Sequence, residues 1–186
     1  VYGDAKVIPT KEDYSFPIQT SLYATSKVAA EGLISSYCER YKFNAAACRF
    51  VSLMGPRYTH GHVVDFVNSL KKDNTKLTIL GNGKQFKSYF HVDDCINALI
   101  LLFKKLESNA IKGFFPINLG TEDGITVEDS AKIICETLNV QPKFIFTGGE
   151  RGWVGDNPNI QLDISKAKQL GWKPSYTIKE LSLIHI

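Results

Sequence analysis

The stretch from Ser21 to Tyr41 constrains the fold most, because it predicts one long helix. It contains no proline, and apolar residues recur through it at helical spacing. These residues are Leu22, Ala29, Leu33, Tyr37 and Tyr41. A short apolar run at residues 45–51 follows, and Gly55-Pro56 ends it. This run predicts a buried strand of a parallel sheet, so the pattern favours an α/β fold.

The predicted helix brings a phenol and an ammonium together. Tyr23 and Lys27 are four residues apart, so their side chains leave a helix on the same side. A neighbouring cation favours the phenolate, which would make Tyr23 a usable acid and base near neutrality. The spacing alone is equally typical of two surface residues, and Tyr2 and Lys6 share it within a turn.

Local signals predict further elements along the chain. Gly81-Asn82-Gly83 predicts a tight turn between the strands 77–80 and 86–90. The pair Asp93-Asp94 predicts the cap of a helix that continues to about Leu106. Thr126, with Asp129 three residues later, predicts the start of another helix.

Several motifs extend this pattern over nearly the whole chain in one order. They are Val1-Tyr2-Gly3-Asp4, Tyr23-Ala24-Thr25-Ser26-Lys27 with Glu31, Arg49-Phe50-Val51-Ser52, Leu80-Gly81-Asn82-Gly83-Lys84-Gln85, His91-Val92-Asp93-Asp94, Asn118-Leu119-Gly120, Arg151-Gly152-Trp153 and Leu170-Gly171-Trp172-Lys173-Pro174. In these motifs the chain resembles the extended short-chain dehydrogenase/reductases. More narrowly, it resembles the NAD-dependent epimerase/dehydratase family, and within that family the UDP-glucose 4-epimerase-like proteins.

The resemblance implies the C-terminal portion of a Rossmann-type doubly wound parallel sheet, plus a smaller α/β substrate-binding domain. Residues 1–58 would be the distal part of the NAD-binding domain, whose N-terminal half, with its glycine-rich loop, is not in this sequence. Residues 59–180 would mainly bind substrate, with about 92–120 packing back on the NAD-binding domain. Residues 181–186 look like a translated sequencing adaptor, and we exclude them from the prediction of the fold.

The resemblance also implies roles for individual residues. Tyr23 and Lys27 would be catalytic and, with Phe50, would contact NAD. The substrate would be bound by Ser52, His62, Val63, Lys87, Arg151 and Asp156. Ser52 stands where the family usually has Asn, and Lys87 where it usually has Arg, so polarity and charge are kept while the geometry of contact changes. Arg151 is offset, and Trp153 stands closer to the position of the family's arginine.

The resemblance therefore implies an NAD-dependent nucleotide-sugar epimerase that acts by hydride transfer and a 4-keto intermediate, with a UDP-sugar as the expected substrate. A 4,6-dehydratase of the same family is an alternative, because the residues that separate the two would precede Val1. A nucleotide-binding protein without catalysis on the same scaffold is another. The 186 residues alone are expected to be inactive, and the full-length protein is expected to form a homodimer.

Composition excludes several other classes. The net charge is only +3 and no basic run stands out, so nucleic acid and membrane surfaces are not expected partners. Cys38, Cys48, Cys95 and Cys135 are widely spaced, which predicts reduced thiols in a cytoplasmic protein. His60 and His62 lack a partner cysteine and a nearby acidic cluster, so no metal site is expected.

Overall fold

Helices and short groups of strands follow one another along the chain in the computed structural model. The structure describes residues 1–14, 19, 21–152 and 156–183, with residues 182 and 183 described by their backbone alone. The elements are α1 (Leu22–Tyr41), β1 (Ala45–Phe50), β2 (Ser52–Met54), α2 (His62–Lys72), β3 (Lys76–Ile79), β4 (Phe86–Lys87), β5 (Tyr89–His91), α3 (Val92–Glu107), β6 (Phe114–Leu119), β7 (Ile125–Thr126), α4 (Val127–Leu138), β8 (Lys143–Phe146), β9 (Asn159–Ile160), α5 (Ser165–Gln169) and α6 (Ile178–Leu183).

Helix α1 begins and ends where the sequence predicts. The Ser21 hydroxyl accepts a hydrogen bond from the Ala24 N–H at 3.1 Å, and the helix ends at Lys42, whose φ is 56°. The predicted apolar face, however, is not buried: Leu22 is 91% exposed and Tyr41 65% exposed. Within α1 only Cys38 is buried. The part of the chain that the structure describes therefore does not cover this face.

Parallel pairing dominates the strands, as predicted. β1 pairs with β6, β2 with β5 and β3 with β8, all in parallel. β4 pairs in parallel with β9 and antiparallel with β7. Parallel strands need crossover connections, and the intervening helices supply them.

The predicted turn at Gly81-Asn82-Gly83 forms, but its flanking strands do not pair with each other. β3 pairs with β8, and β4 pairs with β7 and β9, so the turn does not close a hairpin. Both glycines have positive φ, 80° and 77°, which favours glycine. A Cβ on Gly83 would also approach the Phe146 ring to 2.5 Å.

Two clusters of buried apolar residues form the core. The first lies between α2, α4 and β3 and includes Phe66, Leu77 and Ile134. The second lies around α3, β6 and α5 and includes Val51, Ile117 and Trp172. The second cluster thus joins Val51, directly after β1, to the segment 92–120. The predicted domain boundaries themselves stay a prediction.

Two local expectations need correction. The cap of α3 is His91 and not the acidic pair, because the His91 Nδ1 accepts the Asp93 N–H at 3.2 Å. Asp94 is buried instead and accepts the Ser175 N–H at 2.9 Å. Leu181 is fully buried in the first core cluster, so excluding residues 181–186 from the fold is wrong for Leu181. The origin of that segment stays a prediction, and residues 184–186 lie outside the described part.

No helix within the described ranges combines the length and apolarity that crossing a bilayer requires.

The four cysteine thiols are free, and three of them are buried. Burial, with Cys95 nearby, raises the pKa of the Cys48 thiol to about 11, so it stays protonated at neutral pH.

Candidate active site

Tyr23 and Lys27 lie together in the first two turns of α1. The Lys27 Nζ lies over the Tyr23 ring, 5.2 Å from its centroid. Tyr23 is 72% exposed and Lys27 is exposed too, so both groups are accessible. The expectation that they share one side of the helix is confirmed, and the distance lies within the range of cation–π contacts.

These two side chains line a cleft of about 720 Å³. Phe50 and Ser52 line it too, from the end of β1 and the start of β2. On another side, the cleft is bounded by residues 157 and 159–162, around β9. Its position at the carboxyl end of a parallel strand is where ligands bind in open α/β sheets.

Phe50 presents an aromatic surface to this cleft. It is 44% exposed, and its ring stacks on Phe90 at 5.9 Å with an interplanar angle of 22°. Phe90 is fully buried and packs edge-on against Trp172. The Phe50 ring is therefore supported from behind by two aromatic residues. Ser52 is exposed and pairs in register with Tyr89.

A charged cluster lies beside the cleft, formed by Lys87, Asp156 and Arg151. The Lys87 ammonium donates to the Asp156 carboxylate at 2.5 Å and also to the Asn157 carbonyl. Lys87 and Asp156 are only 14% and 12% exposed. Arg151 donates to the Asp156 carbonyl at 2.6 Å and pairs with Asp4 at 2.7 Å. The structure thus brings these three predicted residues together, already paired within the protein.

Asn157 connects the charged cluster to the cleft. Its carbonyl accepts from Lys87, and its side-chain amide donates to the Gly3 carbonyl at 2.7 Å. Asn157 also lines the cleft. Trp153, which stands closer to the family's arginine position, lies outside the described residues, as do residues 15–18 of the loop before α1.

His62 and Val63 form the first turn of α2, but their side chains point to protein groups. The Val63 side chain is buried in the core, at 2% exposure. The His62 Nε2 lies 3.0 Å from the Ser130 Oγ, and its Nδ1 lies 3.1 Å from the Tyr89 Oη. Burial, followed by the nearby Lys87 ammonium, lowers the pKa of His62 to about 4. The imidazole is therefore neutral at pH 7, and what this turn offers a ligand is its backbone N–H groups.

Sequence reasoning missed a second set of residues, centred on Arg49. Its guanidinium pairs with the Glu31 carboxylate at 2.5 Å, and both side chains are largely buried, at 15% and 17% exposure. It also donates to the Tyr2 hydroxyl at 2.7 Å and to the Glu12 carbonyl at 2.8 Å. Burial opposes the charge of Arg49, but its hydrogen bonds to Glu31 and Tyr2 raise its pKa overall.

This pairing fixes α1 against the rest of the site. Glu31 lies one turn beyond Lys27, and Arg49 directly precedes Phe50. The Tyr2 hydroxyl donates in turn to Asn118 at 2.7 Å, which holds the loop before α1 to β6. Glu31 and Arg49 belong to the motifs of the sequence, but residues 18 apart give no periodic signal that they pair.

Within the described ranges, no group of three or more histidine, cysteine or acidic residues is arranged to hold a metal ion.

Parallel strand pairs, intervening helices and a cleft at a strand's carboxyl end define an α/β protein of the Rossmann type. The chain belongs to the NAD dependent epimerase/dehydratase family, whose model matches residues 1–120. The family resemblance and the fold class predicted from the sequence are both confirmed.

Individual relatives fall in more than one branch of that family. A dTDP-D-glucose 4,6-dehydratase from Mus musculus is 30% identical over 185 residues, covering 97% of this chain and 50% of that protein. A crystal structure of UDP-galactose 4-epimerase superposes with a TM-score of 0.85 at 31% identity, covering 100% of this chain and 58% of the other. The Thermotoga maritima UDP-glucose 4-epimerase with UDP-glucose gives 0.84 at 26% identity, covering 99% and 58%. The chain thus spans about half the length of the curated relatives it matches.

Proposed function

We propose that the full-length protein is an NAD-dependent nucleotide-sugar epimerase of the UDP-glucose 4-epimerase type, acting through a 4-keto sugar. The observation that carries the proposal is the pairing of Tyr23 with Lys27 at the rim of a cleft that also exposes Phe50. The similarity to two 4-epimerase structures supports the same branch. The Thermotoga structure contains UDP-glucose, which supports a UDP-sugar as substrate.

The residues present fit NAD as the cofactor. A phenol, an ammonium and an open aromatic ring lie in one cleft, which suits a nicotinamide and its ribose. Tyr23, Lys27 and Phe50 would hold this end of the molecule. The chemistry that NAD supplies when bound is the acceptance and return of a hydride at a sugar carbon.

In this proposal Tyr23 acts as both the catalytic acid and the catalytic base. As phenolate it takes the proton of the sugar 4-hydroxyl, and as phenol it gives the proton back when the alcohol re-forms. Lys27 lies one helical turn away, with its Nζ 5.2 Å from the centroid of the Tyr23 ring. The exposure of Tyr23 leaves its hydroxyl free to reach a substrate.

The diphosphate of the sugar nucleotide would lie against Lys87, Arg151 and the first turn of α2. Lys87 has three N–H donors, of which Asp156 and Asn157 take two. Among the described residues no partner of its third donor is seen, so that donor would serve a phosphate oxygen. A lysine cannot supply the two-pronged grip of an arginine, so Arg151 would provide the planar contact. Ser52 would contact the sugar side through its single hydroxyl.

The test is Tyr23→Phe in the full-length protein, with Tyr37→Phe as the matched control on the same helix. Tyr37 is also exposed, at 54%, and stacks on Tyr41 away from the cleft. With UDP-glucose and NAD, we expect Tyr23→Phe to lose turnover by about 10²–10⁴-fold, while Tyr37→Phe keeps it. Circular dichroism checks that both variants are folded. Normal turnover by Tyr23→Phe would refute the assignment.

A 4,6-dehydratase is the second candidate, because the dehydratase from Mus musculus matches 97% of the chain. Product analysis by NMR separates the two reactions: an epimerase yields a sugar inverted at C4, whereas a dehydratase yields a 4-keto-6-deoxy sugar. Binding of a nucleotide without either product would favour a non-catalytic protein. The homodimer and the cytoplasmic location stay predictions.

A further inference from the structure

His62 links three elements that meet beside the charged cluster. It begins α2, while Tyr89 begins β5 and Ser130 lies in α4. We call its two hydrogen bonds, 3.1 Å to the Tyr89 Oη and 3.0 Å to the Ser130 Oγ, the His62 bridge. Ser130 is 1% exposed and Tyr89 7% exposed, so these groups have little access to water.

The bridge is satisfied by a neutral imidazole in either tautomer. One ring nitrogen donates and the other accepts, and each hydroxyl can take the complementary part. The ring also packs edge-on against Phe66 at 5.4 Å and lies 5.7 Å from the Tyr89 ring. His62 is therefore fixed in place by packing and by both of its polar atoms.

The bridge lies next to Lys87 because of strand geometry. Lys87 and Tyr89 are two residues apart in the extended segment of β4 and β5, so their side chains lie on one face. Ser88 points the other way and bonds to Thr121 at 2.9 Å. The charge of Lys87 accordingly acts on His62, as does that of Asp156.

We propose that the His62 bridge is a positioning device that holds the first turn of α2 at a fixed distance from Lys87, and so sets the affinity for the diphosphate of a nucleotide sugar. This inference rests on the proposed function. Since both ring nitrogens are bonded within the protein, His62 acts through the backbone N–H groups of its turn and through the placement of Lys87. It takes no part in the proton transfer at Tyr23, so its loss should affect binding and spare the chemical step.

The test measures UDP binding by calorimetry, and KM and kcat for UDP-glucose, in the full-length protein. His62→Phe keeps a ring but removes both hydrogen bonds, and Tyr89→Phe removes a single hydroxyl. His60→Phe is the matched control, because His60 is exposed two residues away and packs on Tyr58. We expect His62→Phe to weaken UDP binding and raise KM by about tenfold, with kcat within about twofold, on the scale of one or two neutral hydrogen bonds.

Tyr89→Phe should show a smaller change in the same direction, and His62→Asn, which can still bond to Tyr89, should recover part of the loss. Unchanged UDP binding in both His62→Phe and Tyr89→Phe would overturn the bridge while leaving the proposed function standing. An equal fall in kcat and in kcat/KM would also overturn it, since that would place His62 in the chemical step. If the unaltered protein binds no UDP, the proposed function fails and this inference with it.

Discussion

The ion pair between Glu31 and Arg49 offers the most direct test of how α1 is held in the site. Glu31→Gln keeps the shape of the side chain but removes its charge, leaving the Arg49 guanidinium largely buried without a counter-ion. Arg49 would keep its bonds to Tyr2 and to the Glu12 carbonyl, but neither partner carries a charge that balances it. Removing one partner of a buried ion pair costs about 3–5 kcal/mol of stability.

The lower part of that range applies here, because both side chains keep some contact with water, at 15% and 17% exposure. A loss of about 3 kcal/mol, with a urea m-value of about 1–3 kcal/mol/M, would lower the unfolding midpoint by about 1–3 M. The measurement is urea unfolding of the full-length protein, followed by circular dichroism.

Glu39→Gln is the matched control in the same helix. Glu39 pairs with Lys42 at 2.6 Å, close to the 2.5 Å of the Arg49 pair, but the side chains of Glu39 and Lys42 are 84% and 73% exposed. Water screens such a pair, so the control should unfold like the unaltered protein. If Glu31→Gln and Glu39→Gln have the same midpoint, burial does not strengthen the Arg49 pair, and the reasoning is refuted.

Two further predictions concern the charged cluster. The pKa of His62 is lowered from 6.5 to about 4 in the folded protein, so the unfolded chain binds more protons between these values. His62 therefore contributes fully to the free energy of unfolding above about pH 6.5, and this contribution is lost as the pH falls toward 4. The loss is at most about 3 kcal/mol, since one pKa unit corresponds to about 1.36 kcal/mol. Urea unfolding at pH 7 and pH 4.5 should show that the free energy of unfolding changes less with pH in His62→Gln than in the unaltered protein. Equal changes in the two proteins would contradict the lowered pKa of His62. Lys87→Met should weaken UDP binding and lower stability, because it leaves the Asp156 carboxylate, 12% exposed, without its cation. Lys76→Met, whose pair with Asp73 is more exposed at 62% and 43%, should change neither quantity in calorimetry and urea unfolding.

Local signals explain which parts of the fold could be predicted. Helix α1 was predictable at both ends, since its serine cap and its apolar spacing are encoded within a few residues. Thr126 likewise caps α4 and accepts the Asp129 N–H at 3.0 Å, as predicted. The partner of β3 was not predictable, because the choice between β4 and β8 depends on contacts far along the chain. The pairing of Arg49 with Glu31 is hidden for the same reason.

In the candidate site, too, features encoded within a few residues were predictable and features that depend on distant residues were not. One helical turn is enough to predict that Tyr23 and Lys27 share a side, and the structure confirms it. The sequence could not predict that acidic residues pair with both Lys87 and Arg151. The partners, Asp156 of Lys87 and Asp4 of Arg151, come from distant segments of the chain. The side chain of His62 bonds to Ser130, which lies 68 residues further along the chain. No local sequence pattern predicts this partner, so the inward orientation of His62 could not be predicted.

The two cations of the charged cluster differ in how a diphosphate could recruit them. The Lys87 pair with Asp156 is largely buried, so separating it would leave two charges in a poorly hydrated place. The Arg151 pair with Asp4 is open to water, at 38% and 46% exposure, and such pairs are weak. If a nucleotide sugar binds here as proposed, Arg151 is the cation that exchanges its carboxylate for the diphosphate. In that arrangement Lys87 keeps Asp156 and contributes its third N–H, so the incoming charge is balanced mainly by the arginine.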